Sequence, residues 1–393
     1  MIVRQFLQWV RTAPAGERAE ASRALARAYL YSDLSKDDRA AAEGAMLLLL
    51  DDVSPLVRRA LAEVLAGSEK APPAVVHSLA ADQIEIAAIV LGRSPLFVDT
   101  DLIETITTAP EALHEAIAAR PALPRAVCAA LAETGSAMTC LTLLENAQAD
   151  IAPASFERIA ERHGNYPLIR GVLLARADLP PTTRHTLVAK VSAMLVDFVT
   201  ARDWLIEDRA RRVAREACEK AMVTVAASTP TSAMRPLIQH LRSTCQLTAG
   251  LLLRALLSGN VVLFEEALAE LSGPPLARVA GILYDRRGGG FRALYEKAEL
   301  PLSAYTAFRV AVETMREDGA QQEPGGSARL RRRTVERVLT SCASESLGDV
   351  KPLLALLRRF AAEAAREEAR LFCDELAADD YLSAGHGIER EAA

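Results

Sequence analysis

"DDVSPLVRRALAEVLA", residues 51–66, carries the grammar of a complete amphipathic helix. Ser54 is placed to cap it, and Pro55 falls at the first helical position, where a missing N–H does no harm. Val57, Ala60, Leu61, Val64 and Leu65 recur at i, i+3, i+4, i+7 and i+8. One apolar stripe therefore runs down a helix whose other side carries Arg58, Arg59 and Glu63. "APPAVVHSLA", residues 71–80, follows after a short break, again with Pro near its start. The two segments read as a helical hairpin, and a hairpin this small buries its stripe only against a similar neighbour.

Similar neighbours follow. "VLGRSPLF" (90–97), "IAARPALP" (117–124), "LLENAQADI" (143–151) and "LLARADLP" (173–180) each end one helix and lead through a small or Pro-containing turn into the next. Aligning Arg93, Arg120, Asn146 and Arg176 gives offsets of 27, 26 and 30 residues. That spacing lies in the range on which helical-repeat architectures are built. The second helix of each period is apolar at helical spacing too: Leu102, Ile103 and Ile106; Val127 and Leu131; Phe156 and Ile159; Leu187, Val188 and Val191. Beyond about residue 195 the period is lost while Pro, Gly and Asn stops still separate helical segments as far as Met315.

The expected fold is all-α, a HEAT-like α-solenoid of stacked helical hairpins followed by a further helical region. Its divisions are a helical N-terminal cap (1–50), HEAT-like repeats (51–195), a C-terminal helical region (196–316), a flexible linker (317–328), terminal helices (329–378) and a disordered tail (379–393). The linker "EDGAQQEPGGSA" has almost no apolar side chains and clusters Gly with Pro.

Composition narrows the functional classes. The chain has 393 residues, 50% hydrophobic but only 5% aromatic, and a net charge of -5. That balance provides no general attraction to phosphate backbones or anionic lipid. No apolar run approaches the roughly 18 residues needed to cross a bilayer; "AMLLLL" (45–50) is cut off by Asp51 and Asp52. The amino terminus lacks the continuous apolar centre of a secretory signal, so a cytoplasmic protein is expected. Cys128, Cys140, Cys218, Cys245, Cys342 and Cys373 are scattered without CxxC spacing, and most are expected to be buried small hydrophobes.

Three stretches, "LYSDLSKDDRAAAEGAMLLLLDDVSPLVRRALAEVLA", "PPAVVHSLAADQIEIAAIVLGRSPLF" and "LLLRALLSGNVVLFEEALAELSGPPLARVAGILYDRRGGGFRALYEKAELP", together resemble a bacterial family filed as domain of unknown function 2336, found mainly in alphaproteobacteria. The resemblance runs from about Leu30 to Met315. It implies a HEAT-like helical array in a bacterial cytoplasm, and it transfers no functional residues.

Few residues suggest chemistry. Asp99, Asp101 and Glu104 in "VDTDLIE" lack the Gly and downstream Glu of a calcium loop and are read as acids favoured by a helix start. "DRRGGGFR" sets Arg286, Arg287 and Arg292 beside three glycines, an anion cradle in outline, though it lacks the Lys and Ser or Thr of a P-loop. "SARLRRRTVERV" clusters Arg329, Arg331, Arg332 and Arg333 just after the linker. These seven arginines are the candidate anion-binding residues, weighed against a plainly solvated charged face. The six histidines show no metal-ligand spacing, and no catalytic, metal or cofactor signature appears.

The expected function is a non-enzymatic scaffold or adaptor that presents a curved repeat surface to a protein partner, in bacterial signalling or regulation. Binding of nucleic acid or a phosphorylated ligand through the arginines is the alternative, and a HEAT-like enzyme is held in reserve on fold analogy alone. No cofactor and no membrane contact are expected, and self-association is left open.

Overall fold

The computed structural model describes residues 9, 12–285, 289–317, 330–344 and 351–391. Every regular element among them is helical, with no strand. No described helix is long and apolar enough to cross a membrane. The chain forms two compact units, residues 1–183 and 184–393.

The first unit contains α1 (Ala15–Tyr31), α2 (Lys36–Leu49), α3 (Pro55–Leu65), α4 (Pro73–Ala80), α5 (Ile84–Arg93), α6 (Asp99–Thr108), α7 (Glu111–Ala118), α8 (Arg125–Thr134), α9 (Ala137–Glu145), α10 (Pro153–His163) and α11 (Pro167–Ala175). Odd-numbered helices pack in succession, α1 on α3, α3 on α5, α5 on α7, α7 on α9 and α9 on α11. Even-numbered helices do the same from α2 to α4 and from α6 through α8 to α10. Apart from the step from α4 to α6, each helix is thus covered by a helix two places away, as the opening stretch requires. Leu61 and Leu65 of α3, Val90 of α5, Ile117 of α7, Leu143 of α9 and Leu173 of α11 are all fully buried. The segment expected as a separate N-terminal cap enters the same packing order as its first helix pair.

The start of α3 is built differently from the expected cap. Ser54 occupies the N-cap position, but its hydroxyl makes no capping bond. Asp52 instead accepts from the Ser54 backbone N–H at 2.8 Å and receives Arg18 of α1 in two bonds of 2.8 and 2.7 Å. A carboxylate accepts more strongly than a hydroxyl, and this one also ties α3 to α1.

The second unit takes in most of α12 (Pro181–Thr200), then α13 (Glu207–Ala227), α14 (Thr231–Ser243), α15 (Ala249–Ser258), α16 (Val261–Ser272), α17 (Leu276–Tyr284), α18 (Phe291–Lys297), α19 (Tyr305–Glu317), α20 (Arg332–Ser344) and α21 (Lys351–Glu391). α21 covers both the long helix expected near the end and the backbone of most of the segment expected as a tail. α15 is buried along nearly its whole length and meets α13, α16 and α19. Phe264, Phe291, Tyr295, Tyr305 and Phe308 form an aromatic cluster around it, with ring centroids 5.2 to 6.1 Å apart. Leu357, Phe360 and Ala364 bring the start of α21 into the same core.

Candidate functional site

Helix C-termini leave four backbone carbonyls without intrahelical donors. In the first unit, the residues aligned by the period supply those donors. Arg120, just past α7, donates to Leu91 O and, at 2.7 Å, to Ser94 O at the end of α5. Asn146, just past α9, donates to Ala118 O at 3.1 Å and Arg120 O at 2.7 Å. Arg176, just past α11, donates to Leu144 O at 2.9 Å and Asn146 O at 3.4 Å. The result is a ladder in which the ends of α5, α7 and α9 are each capped by a side chain from just past the next odd-numbered helix. The even rank has a rung as well, Arg162 to Ala132 O at 2.7 Å.

Arg93 holds the same register but is exposed, and among the described residues no carboxylate pairs with it. It borders a groove of about 470 Å³ between α5 and α7, lined by Ala88, Ile89, Gly92, Ala116, Ala119 and Pro121. The walls are low because the side chains are small. A Cβ at Gly92 would come within 3.2 Å of the Ala116 carbonyl, so glycine keeps the two helices close there. The groove therefore offers apolar walls and one uncommitted cation. The small residues spaced along "AAIVLGR" and "AIAAR" were visible in the sequence, but which side of each helix they occupy was not.

The seven candidate anion-binding arginines fare unequally. Arg286, Arg287 and Arg329 lie outside the described residues. Arg292 pairs with Glu296 at 2.9 Å. Arg331 donates its backbone N–H to Leu257 O at 3.0 Å and lays its guanidinium against Gly259, at the carbonyl end of α15. Arg332 bridges Glu336 at 2.7 Å and Glu368 of α21 at 2.9 Å, two carboxylates that raise its pKa. Arg333 is exposed on α20. The structure brings Arg331, Arg332 and Arg333 together at the start of α20, where Arg332 is already paired with two carboxylates and Arg331 packs beside Gly259.

A second depression, of about 320 Å³, lies in the second unit between Arg235, Glu266, Glu270 and the Gly273–Pro275 turn. Arg242 occupies Glu270 at 2.8 Å. Deeper in that unit, Arg254 makes two bonds to Glu363, of 3.0 and 2.9 Å, and lies 4.4 Å over the Phe360 ring. Lys220 joins the same carboxylate at 2.8 Å. Burial raises the Glu219 pKa, and Thr248 donates to it at 2.6 Å. These groups clamp α21 onto α13 and α15 and leave no open chemistry among themselves.

His185 and His240, unpaired in the sequence reading, meet at 3.0 Å, and burial followed by His240 lowers the His185 pKa to about 4. Asp101 accepts from Val98 N–H at 3.3 Å, the helix-start role expected of it. Cys128, Cys140 and Cys342 are buried, Cys218 is half-buried, and Cys245 and Cys373 are exposed, so only half are the buried hydrophobes expected. Among the described residues no group of three His, Cys, Asp or Glu side chains could hold a metal.

The model of one family, described as an uncharacterised protein conserved in bacteria (DUF2336), matches residues 86–348, from α5 through α20. No curated protein and no solved structure matches the chain.

Proposed function

The chain belongs to the DUF2336 family of bacterial proteins, and from that premise we propose that it is a non-enzymatic scaffold or adaptor of the bacterial cytoplasm, acting in signalling or regulation. In this reading the first unit is a HEAT-like solenoid whose α5–α7 groove receives a protein partner. The observation that carries it is the groove itself: small apolar walls with Arg93 at the rim, in a register where every later equivalent is consumed by the ladder. Stacked repeats commonly bind through such surfaces. A fitting partner is an amphipathic helix that seats one apolar side chain between Ala88 and Ala116 and sets a carboxylate against Arg93.

The arginine alternative receives less support, because Arg292 and Arg332 are held by carboxylates. A photo-crosslinking residue placed at exposed Ala119 tests the groove in growing cells. The expected result is a discrete protein adduct that Arg93→Glu abolishes. An absent adduct, or one indifferent to Arg93→Glu, refutes the groove as the binding site.

A further inference from the structure

Among its described side chains α21 buries only Leu357, Phe360 and Ala364, while Glu368, Ala369, Arg370 and Phe372 stand exposed. At the centre of this short contact is Arg254, the one charged residue of α15 and only 4% exposed. Its guanidinium takes Glu363 in two bonds and lies over the Phe360 ring. Leucine, as at positions 251–253, 256 and 257, would pack there without desolvating a charge. A buried ion pair at this point therefore serves selectivity more than stability.

We propose that α13 and α15 form a seat for a helix carrying an aromatic side chain and a carboxylate three residues apart, and that α21 holds this seat in cis against such a helix from a partner protein. The first support is that the seat reads several features of one helix face. Arg254 selects Phe360 and Glu363, Lys220 reaches the same carboxylate at 2.8 Å, and Glu216 takes Arg359 at 2.8 Å. The second is that α21 fills the seat incompletely. The Arg254 Nε is buried with no acceptor, so a helix that supplies one there gains a bond that α21 does not make.

The third support is the boundary of the family match, which ends at residue 348, whereas α21 begins at Lys351. The seat lies inside the matched body, and the helix that occupies it lies outside. A tethered occupant acts at an effective concentration on the order of millimolar, which closes the seat to weak ligands and leaves it open to a tighter one. This adds a second surface to the adaptor reading and stands whether or not the α5–α7 groove binds.

A labelled peptide of residues 353–372, followed by fluorescence anisotropy against the full chain, tests it. Phe360→Ala with Glu363→Gln in the chain weakens the occupant and leaves the seat intact, so this variant is expected to bind the peptide about tenfold or more tightly than the unaltered chain does. Peptides bearing Phe360→Ala or Glu363→Gln are each expected to bind the variant about tenfold or more weakly. Hydrogen–deuterium exchange on the unaltered chain gives a second measurement should the double variant fail to fold. Residues 353–367 are expected to exchange faster than α15, and faster still in added salt, which screens the half-exposed pairs of Lys220 and Arg359. A folded variant that does not take the peptide, or takes the altered peptides as tightly, overturns the proposal. So does exchange in α21 that never outpaces that in α15.

Discussion

Replacing Asn146 with Ala probes the ladder where it is most exposed to a quantitative check. The side chain donates to Ala118 O and Arg120 O at 3.1 and 2.7 Å and accepts from Gln148 N–H at 3.1 Å. A neutral hydrogen bond contributes about 1 kcal/mol net, and its loss here strips donors from two carbonyls at the end of α7, so the expected destabilisation is about 2–3 kcal/mol. In a unit of this size that lowers the melting temperature by roughly 5–10 °C. Arg93→Ala, in the same register but with no rung to lose, is expected to change stability by less than ~0.5 kcal/mol. Asn146→Arg is expected to recover most of the loss, since Arg120 and Arg176 serve that role one period away on either side. Thermal and urea unfolding followed by circular dichroism measures all three. If Asn146→Ala and Arg93→Ala cost the same, the ladder contributes nothing and the argument from equivalent positions fails.

Other outcomes follow from single sites. Gly259 has φ of 78°, and a Cβ there would lie 2.8 Å from the Arg331 guanidinium, whereas Gly273, with φ of 87°, has open space around it. Both alanine variants should lose about 1 kcal/mol to backbone strain, and Gly259→Ala more, as Arg331 is displaced; equal losses in urea unfolding contradict the contact. His185 has a folded pKa lowered to about 4 by burial and then by His240. Unfolded, it protonates near 6.5, so its contribution is whole above that pH, falls as pH drops, and is lost below about 4, a change of about 3 kcal/mol. His185→Leu should flatten that stretch of the stability profile, and an identical profile in variant and parent refutes the effect. Burial pushes the Cys128 and Cys140 thiols up to about 11. A thiol reagent at neutral pH should therefore modify Cys245 and Cys373 first, and prompt labelling of Cys128 would contradict its burial.

The helices of the first unit were legible because their stripes and turn residues are local signals. The alignment of Arg93, Arg120, Asn146 and Arg176 also held, since each falls at the end of an odd-numbered helix. What these residues bond was hidden, because their acceptors are backbone carbonyls 26 to 32 residues away, which carry no side-chain signature. The start of α3 was misread for a similar reason, as the competing acceptor Asp52 gains its advantage from Arg18, 34 residues earlier. The aromatic cluster of the second unit joins Phe264 of α16 to Phe308 of α19 across two intervening helices, a pairing that no spacing rule reports. The arginines of α20 read as a free basic face because Glu368 lies 36 residues beyond Arg332. The α5–α7 groove is defined by which small residues face outward, and only the packing of neighbouring helices decides that.

The central claim is that each helix of the first unit is supported by those two places along. Hydrogen–deuterium exchange on Leu143→Ala tests it most directly, because Leu143 of α9 is fully buried and its truncation removes about 2–5 kcal/mol. The account expects faster exchange in α7 and α11 as well as α9, in proportion to their shared contacts. Deprotection confined to α9, with α7 and α11 unchanged, would contradict it.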